Sequence, residues 1–299
     1  MRLVAALAAL VVLVACGNEP EPRAEESPAA TPTSMPTEVP LPDGPVTSAY
    51  AATVIDDGGG AELCLGGVAT SLPPQCSGPQ LLGWDWSEHE GEFEDVRGVK
   101  WGDFAVTGMF DGRDLTSTDA VPADEFDAPE YDDGRDLTTP CPEPDGGWQV
   151  IDEATTTMRS QNTTMRAAQR LDGYAGAWVD QSVNPAYHSD DPREFEKKMN
   201  DPTLMVINVQ VTGDPAAAEE ALRETWGGAL CVSHAMHTER ELGKIHEAIR
   251  AVPGVLSSSH GFDHVDAGVI YDDGSLQAWA DREYGDGVVR LTPALVPVD

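Results

Sequence analysis

Two groups of histidines lie in short polar stretches of the second half of the chain. His234 and His237 belong to SHAMHTE, while His260 and His264 belong to SHGFDH together with Asp263. Imidazole nitrogens with a carboxylate suit Zn²⁺ or Cu²⁺. If the GVLSSS segment runs parallel to ALCVS, the carboxyl ends of these strands are neighbours and the histidines meet. The pattern therefore predicts a metal site, with loop histidines on a solvated rim as the alternative.

The patterns that identify common catalytic and cofactor sites are missing from the sequence. It contains no G-x-S-x-G, H-E-x-x-H, P-loop or G-x-G-x-x-G motif. We therefore predict no catalytic residue and no cofactor. Ser, His and Asp are nevertheless numerous enough for a triad to assemble in space.

The chain begins with the features of an exported protein. Arg2 precedes the apolar residues 3–15, a run too short to span a bilayer and typical of a secretory signal. The run leads into LVAC at 13–16, which resembles the lipobox of bacterial lipoproteins. The resemblance implies that Cys16 is diacylated, becomes the new N-terminus and holds the protein on the extracytoplasmic face of the cell membrane. An ordinary signal peptide that ends near a cysteine is the alternative.

Four further cysteines are available for structural use. An even number in an exported chain indicates disulfides, and the sequence has neither a C-x-x-C redox motif nor the closely spaced pairs of a zinc site. Four cysteines allow three connectivities. We predict a short staple between Cys64 and Cys76 and a long one between Cys141 and Cys231.

The composition is strongly acidic, with 52 Asp and Glu against 18 Lys and Arg and a net charge of −34. Such a surface repels the phosphates of nucleic acids, so we predict no nucleic-acid partner. It equally opposes adhesion to anionic lipid, which leaves the lipid anchor as the contact with the membrane. The charge indicates either solubility or capture of a cationic ligand.

The composition changes several times along the chain. After the signal peptide and lipobox (1–16), residues 17–45 are rich in Pro, Glu, Ser and Thr and predict a disordered tether. Short alternating segments in 46–110 predict a small all-β domain. The acidic stretch 111–147 predicts a loosely ordered connector, with Ca²⁺ binding as the alternative. Residues 148–299 predict a second domain.

The second domain mixes strand and helix patterns, which predicts an α+β fold for the protein. VINVQV is typical of a buried strand, and Asp214 with Pro215 marks the start of a helix. Thr238 with Glu241 three residues later predicts a capping box on the next helix. We expect a sandwich-like domain with helices on one face of a mixed sheet.

One predicted helix carries an arginine stripe. Arg159, Arg166 and Arg170 share a side of the segment EATTTMRSQNTTMRAAQRL. Two interpretations remain open. The stripe docks a partner, or the acidic connector of the same molecule neutralises it.

The second domain is similar to the pro-region of secreted proteases of the α-lytic protease and streptogrisin type. The similarity lies in YAGAWVD (174–180), VINVQVTGD (206–214), ELGKIHEAI (241–249) and VDAGVIYDDG (265–274). In that family these segments form a compact α+β domain that assists the folding of the protease and also inhibits it. The resemblance implies an α+β fold and a role in binding. With the lipobox, the chain is also similar to lipoproteins of the actinobacterial type.

These observations predict a non-catalytic, membrane-anchored extracytoplasmic lipoprotein that binds a protein or a small ligand in the bacterial envelope. The expected partners are the membrane, through the lipid, and an envelope protein. The alternative is an envelope hydrolase or metal-dependent enzyme whose site has no recognised motif.

Overall fold

The computed structural model describes residues 34–76, 78–127 and 136–298. The predicted signal sequence, Cys16 and residues 17–33 of the predicted tether lie outside the described residues. Within the described ranges, no helix is both long and apolar enough to cross a membrane. The predicted α+β class is confirmed, because helices and strands alternate over the C-terminal half.

The N-terminal part folds into an eight-stranded sheet around one long strand. Its strands are β1 (Val46–Ser48), β2 (Ala52–Asp56), β3 (Glu62–Cys64), β4 (Leu81–Leu82), β5 (Glu94–Val96), β6 (Val99–Phe110), β7 (Leu115–Pro122) and β14 (Leu295–Pro297). Strand β6 pairs antiparallel with β1, β2, β5 and β7, and β14 pairs with β1. The buried side chains of Phe104 and Val106 place β6 at the centre of the core.

Part of the predicted connector is a strand. The expectation of a loosely ordered loop is wrong for β7, which pairs with β6 from Leu115 opposite Phe110 to Pro122 opposite Phe104. The side chain of Leu115 is fully buried and fixes this strand on the core. An acidic composition therefore does not exclude a strand whose polar side chains face solvent.

The C-terminal part contains two units with the same element order: helix, strand, strand, helix, strand. The first unit consists of α1 (Met158–Ala168), β8 (Tyr174–Asp180), β9 (Val206–Val211), α3 (Pro215–Arg223) and β10 (Ala229–His234). The second consists of α4 (Glu239–Ile249), β11 (Val255–His260), β12 (Val265–Val269), α5 (Ser275–Tyr284) and β13 (Val289–Pro293). Helix α2 (Pro192–Lys198) lies in a segment between β8 and β9 that has no counterpart in the second unit.

The two units also share their strand pairing. In each three-stranded sheet the second strand is central, runs antiparallel to the first strand and runs parallel to the third. The register shifts at the same place in both, between Tyr174 and Gly176 and between Val255 and Ser257. The C-terminal part is therefore an internal structural duplication.

Two residue types mark equivalent points of the units. Thr157 and Thr238 cap the first helix of each unit through a side-chain oxygen that accepts a backbone N–H. Gly173 and Gly254 directly precede the first strand with φ of +76° and +81°, a conformation that favours glycine. Each threonine is separated from its glycine by the same length of chain.

Helices cover one face of each sheet. In the first unit, Ile207 and Val209 of β9 pack with Leu222 of α3 in one buried cluster. In the second unit, Val265 of β12 packs with Leu242 of α4. The single mixed sheet expected from the sequence is thus two mixed sheets, each with helices on one side. The side of each sheet that faces away from its helices is called the first outer face in the first unit and the second outer face in the second unit.

Both predicted disulfides are confirmed. Cys64 is bonded to Cys76 and Cys141 to Cys231, with Cα atoms 5.8 Å apart in each pair. The first closes a loop beside β3, and the second links the connector to β10. Cysteine count and the expected compartment predicted that the four cysteines form disulfides, and the observed pairing is the one favoured among three connectivities.

Candidate functional site

The end of the connector together with Trp148, residues 137–148, lies on the first outer face, and we call it the cover segment. The indole Nε1 of Trp178 donates to the carbonyl of Leu137 at 2.8 Å. The backbone N–H and hydroxyl of Thr139 both donate to one carboxylate oxygen of Asp180, at 2.8 and 2.7 Å. The amide of Asn208 donates to the Thr139 hydroxyl at 3.2 Å. The disulfide to β10 completes the attachment.

The second outer face is open to solvent. Its side chains form two rows across β11, β12 and β13, as the strand register defines. The rows are Ser257–Gly268–Thr292 and Ser259–Asp266–Arg290. Apart from the half-buried Gly268, all of these residues are exposed. Among the described residues, no segment lies on this face as the cover segment lies on the first.

A cleft of about 620 Å³ lies where the two outer faces meet. The turn between β11 and β12 reaches over the first outer face, where the ring of Phe262 stacks on Trp178 with centroids 4.5 Å apart. This approach requires glycine at position 176, because a Cβ there would lie 2.2 Å from the Phe262 ring. Tyr174 and Gln210 line the first side of the cleft.

His264 holds the charged groups of the cleft together. Its Nδ1 contacts a carboxylate oxygen of Asp263, and its Nε2 lies 3.0 Å from Asp266 Oδ2 and 3.2 Å from Arg290 Nη1. A doubly protonated imidazole donates to both carboxylates, whereas a ring protonated only at Nδ1 accepts from Arg290 at Nε2. The network therefore has two alternative hydrogen-bond arrangements.

The cleft carries more carboxylates than cations. Asp136, Glu239, Asp263 and Asp266 line it, against one arginine, Arg290, and two histidines. Burial and, secondarily, the charge of Glu239 raise the pKa of the Tyr174 hydroxyl. Side-chain and backbone hydrogen bonds from Thr138 lower the pKa of Asp136. The cleft is therefore a site for groups that donate hydrogen bonds or carry positive charge.

One polar atom of the cleft lacks a partner. The Oε1 atom of Gln210 is buried and accepts no hydrogen bond from any described residue. Buried polar atoms are almost always hydrogen-bonded in folded proteins. A ligand donor would satisfy the atom if the side chain of Gln210 turned its Oε1 toward the cleft.

The histidines predicted to bind metal are divided between two places. His260 and His264 line the cleft, whereas His234 and His237 do not. Strands β10 and β11 lie in different sheets, so the parallel pairing expected to bring the two groups together is wrong. Within the described residues, no group of three or more His, Cys, Asp or Glu side chains is arranged to hold a metal ion.

The arginine stripe lies on the surface. Arg159 and Arg166 belong to α1 and Arg170 follows the end of that helix; all three are exposed. None of them lies within 4.0 Å of a carboxylate of the described residues. Docking of a partner remains a prediction, with neutralisation by the acidic connector as the alternative.

Reversing the charge of the stripe tests that prediction. The variant Arg159→Glu, Arg166→Glu, Arg170→Glu is expected to keep its fold, because exposed ion pairs contribute under about 1 kcal/mol. It is expected to lose one envelope protein that co-purifies with the wild type. The control changes Arg240 and Lys244 on the equivalent helix α4, and Arg250 directly after it, to Glu. Retention of every wild-type partner by the first variant would show that the stripe is only surface charge.

Sequence reasoning missed most of the residues that line the cleft. Tyr174 and Trp178 stand in β8, whereas Phe262 and Arg290 stand in two other segments, and the duplicated fold brings them together. The equal spacing of the threonine and glycine pairs was the available signal. No protein-family model matches the chain, and no curated protein matches it.

Proposed function

We propose that the protein is a non-catalytic lipoprotein, anchored through a lipid on Cys16 to the extracytoplasmic face of the cell membrane. In this role it binds a protein or a small ligand of the envelope through the cleft between the two outer faces. The observation that carries the proposal is the cleft itself, which lies at the junction of two duplicated units and is lined by aromatic and charged side chains.

The size and chemistry of the cleft support binding. Ligand sites commonly have volumes of about 300–1,000 Å³, with apolar walls and a few polar groups that orient the ligand. Phe262 and Trp178 supply an apolar wall, and Asp266 and Arg290 supply charges. His264 contacts these two charged side chains and Asp263, and it would therefore hold them in position around a ligand.

The N-terminal part of the chain supports the location. The predicted tether would extend by about 3.1 Å per residue if it were polyproline-like, which amounts to tens of ångströms between a lipid on Cys16 and the folded part. Val39 already packs against the core of the eight-stranded sheet.

Photo-crosslinking in the native envelope tests the binding role. A photo-crosslinking phenylalanine in place of Tyr174 keeps an aromatic ring inside the cleft, whereas the same residue in place of Tyr187 samples an exposed position outside it. We expect a specific adduct from position 174 and none from position 187. Equal adducts from both positions, or no adduct from position 174, would contradict the proposal.

A further inference from the structure

We propose that the second outer face and the adjoining cleft bind an extended, basic segment of a partner polypeptide. This inference rests on the proposed binding function and names its ligand. It follows from a comparison of the two outer faces, one of which the chain covers with a segment of its own.

The first outer face demonstrates how an extended segment is held on such a sheet. Trp178 donates to the backbone carbonyl of Leu137, and Asp180 accepts from the backbone N–H of Thr139. Side chains that project from the strands thus bind the backbone of the cover segment at two points, and the hydroxyl of Thr139 adds hydrogen bonds to Asp180 and Asn208. A disulfide at Cys231 then makes the attachment permanent.

The second outer face has polar residues at the equivalent positions. The matched registers place Ser259 where the first unit has Trp178, and Asp266 where it has Asn208. Arg290 stands where the first unit has Cys231. These three side chains provide a hydroxyl, a carboxylate and a guanidinium group in one row. They can hydrogen-bond a backbone reversibly at the place where the first unit uses a covalent link.

The dimensions of the face fit a short extended segment. Three strands spaced about 4.8 Å apart span roughly 10 Å, which about three or four extended residues cross. The cleft continues this surface toward Gln210, whose Oε1 has no hydrogen-bond partner among the described residues. A segment that follows the second outer face into the cleft would place its backbone N–H groups near hydrogen-bond acceptors of the protein.

The charge of the cleft indicates a basic segment. Asp136, Glu239, Asp263 and Asp266 outnumber Arg290 there, in a chain whose net charge is −34. Complementary charges favour a lysine- or arginine-bearing segment, and an acidic segment would be repelled. Phe262 and Tyr174 also offer aromatic rings to a cation.

Fluorescence anisotropy with a labelled peptide of alternating Lys and Ser, about ten residues long, tests the inference on the mature protein in detergent. At about 0.15 M salt, long-range attraction is largely screened. We expect the peptide to bind the wild type, and Asp266→Lys and Ser257→Lys each to weaken binding about tenfold. Asp124→Lys, the same charge reversal as Asp266→Lys at an exposed position outside the cleft, is expected to leave binding unchanged.

Three results would overturn the inference. The first is equal weakening by Asp124→Lys, which would indicate general charge attraction. The second is full competition by lysine amide at the peptide's own affinity, which would indicate a site for a small cation. The third is a dimer of the wild type that buries Ser257. If any of these occurred while the adduct from position 174 persisted, the binding function would stand and only the peptide inference would fail.

Discussion

Replacing Cys141 and Cys231 together by alanine is expected to lower the free energy of unfolding by about 4 kcal/mol. The bond joins positions 90 residues apart, and closing so long a loop removes much of the conformational entropy of the unfolded chain. It also fastens the cover segment to β10. Guanidinium unfolding followed by tryptophan fluorescence measures the loss, and limited proteolysis is expected to cleave within residues 137–148 of the variant.

The other disulfide supplies the matched control. Cys64 and Cys76 are only 12 residues apart, so their joint replacement by alanine is expected to cost about 3 kcal/mol and to leave the cover segment resistant to protease. If the Cys141 and Cys231 variant instead keeps the stability of the wild type and resists cleavage at the cover segment, the bond does not hold that segment in place.

The Cys16→Ser substitution is expected to move the protein out of the membrane fraction. Without the thiol no lipid can be attached, and the protein should appear as an unprocessed precursor or as a secreted form. Cell fractionation with immunoblotting measures the change, and Ser27→Ala in the predicted tether serves as a control that keeps the lipobox. Mature Cys16→Ser protein that still sediments with membranes would show that the lipobox interpretation is wrong.

Features that depend on local chemistry could be predicted from the sequence. The capping box at Thr238 and Glu241 and the N-cap at Asp214 occur where the residue types indicated them. The presence of disulfides followed from the cysteine count and the expected export of the chain, although the count allowed three pairings. Each of these predictions needs only neighbouring residues or an expectation about the compartment.

The duplication and the cleft could not be predicted in the same way. The equivalent positions carry different residues, such as Trp178 and Ser259, because one outer face is covered and the other is exposed. A segment that includes α2 also separates β8 from β9, which obscures the repeat along the chain. The expected meeting of the two histidine groups was wrong because it assumed that β10 and β11 belong to one sheet, whereas they belong to different units.

The central claim is that the cleft between the two outer faces is occupied by a ligand in the native envelope. Hydroxyl-radical footprinting tests it most directly, by comparing the protein in native membranes with the purified protein. We predict slower modification of Tyr174 and Phe262 in the membranes, with Tyr187 modified at the same rate in both samples. If each of the three residues were modified at the same rate in the membranes as in the purified protein, the claim would be contradicted.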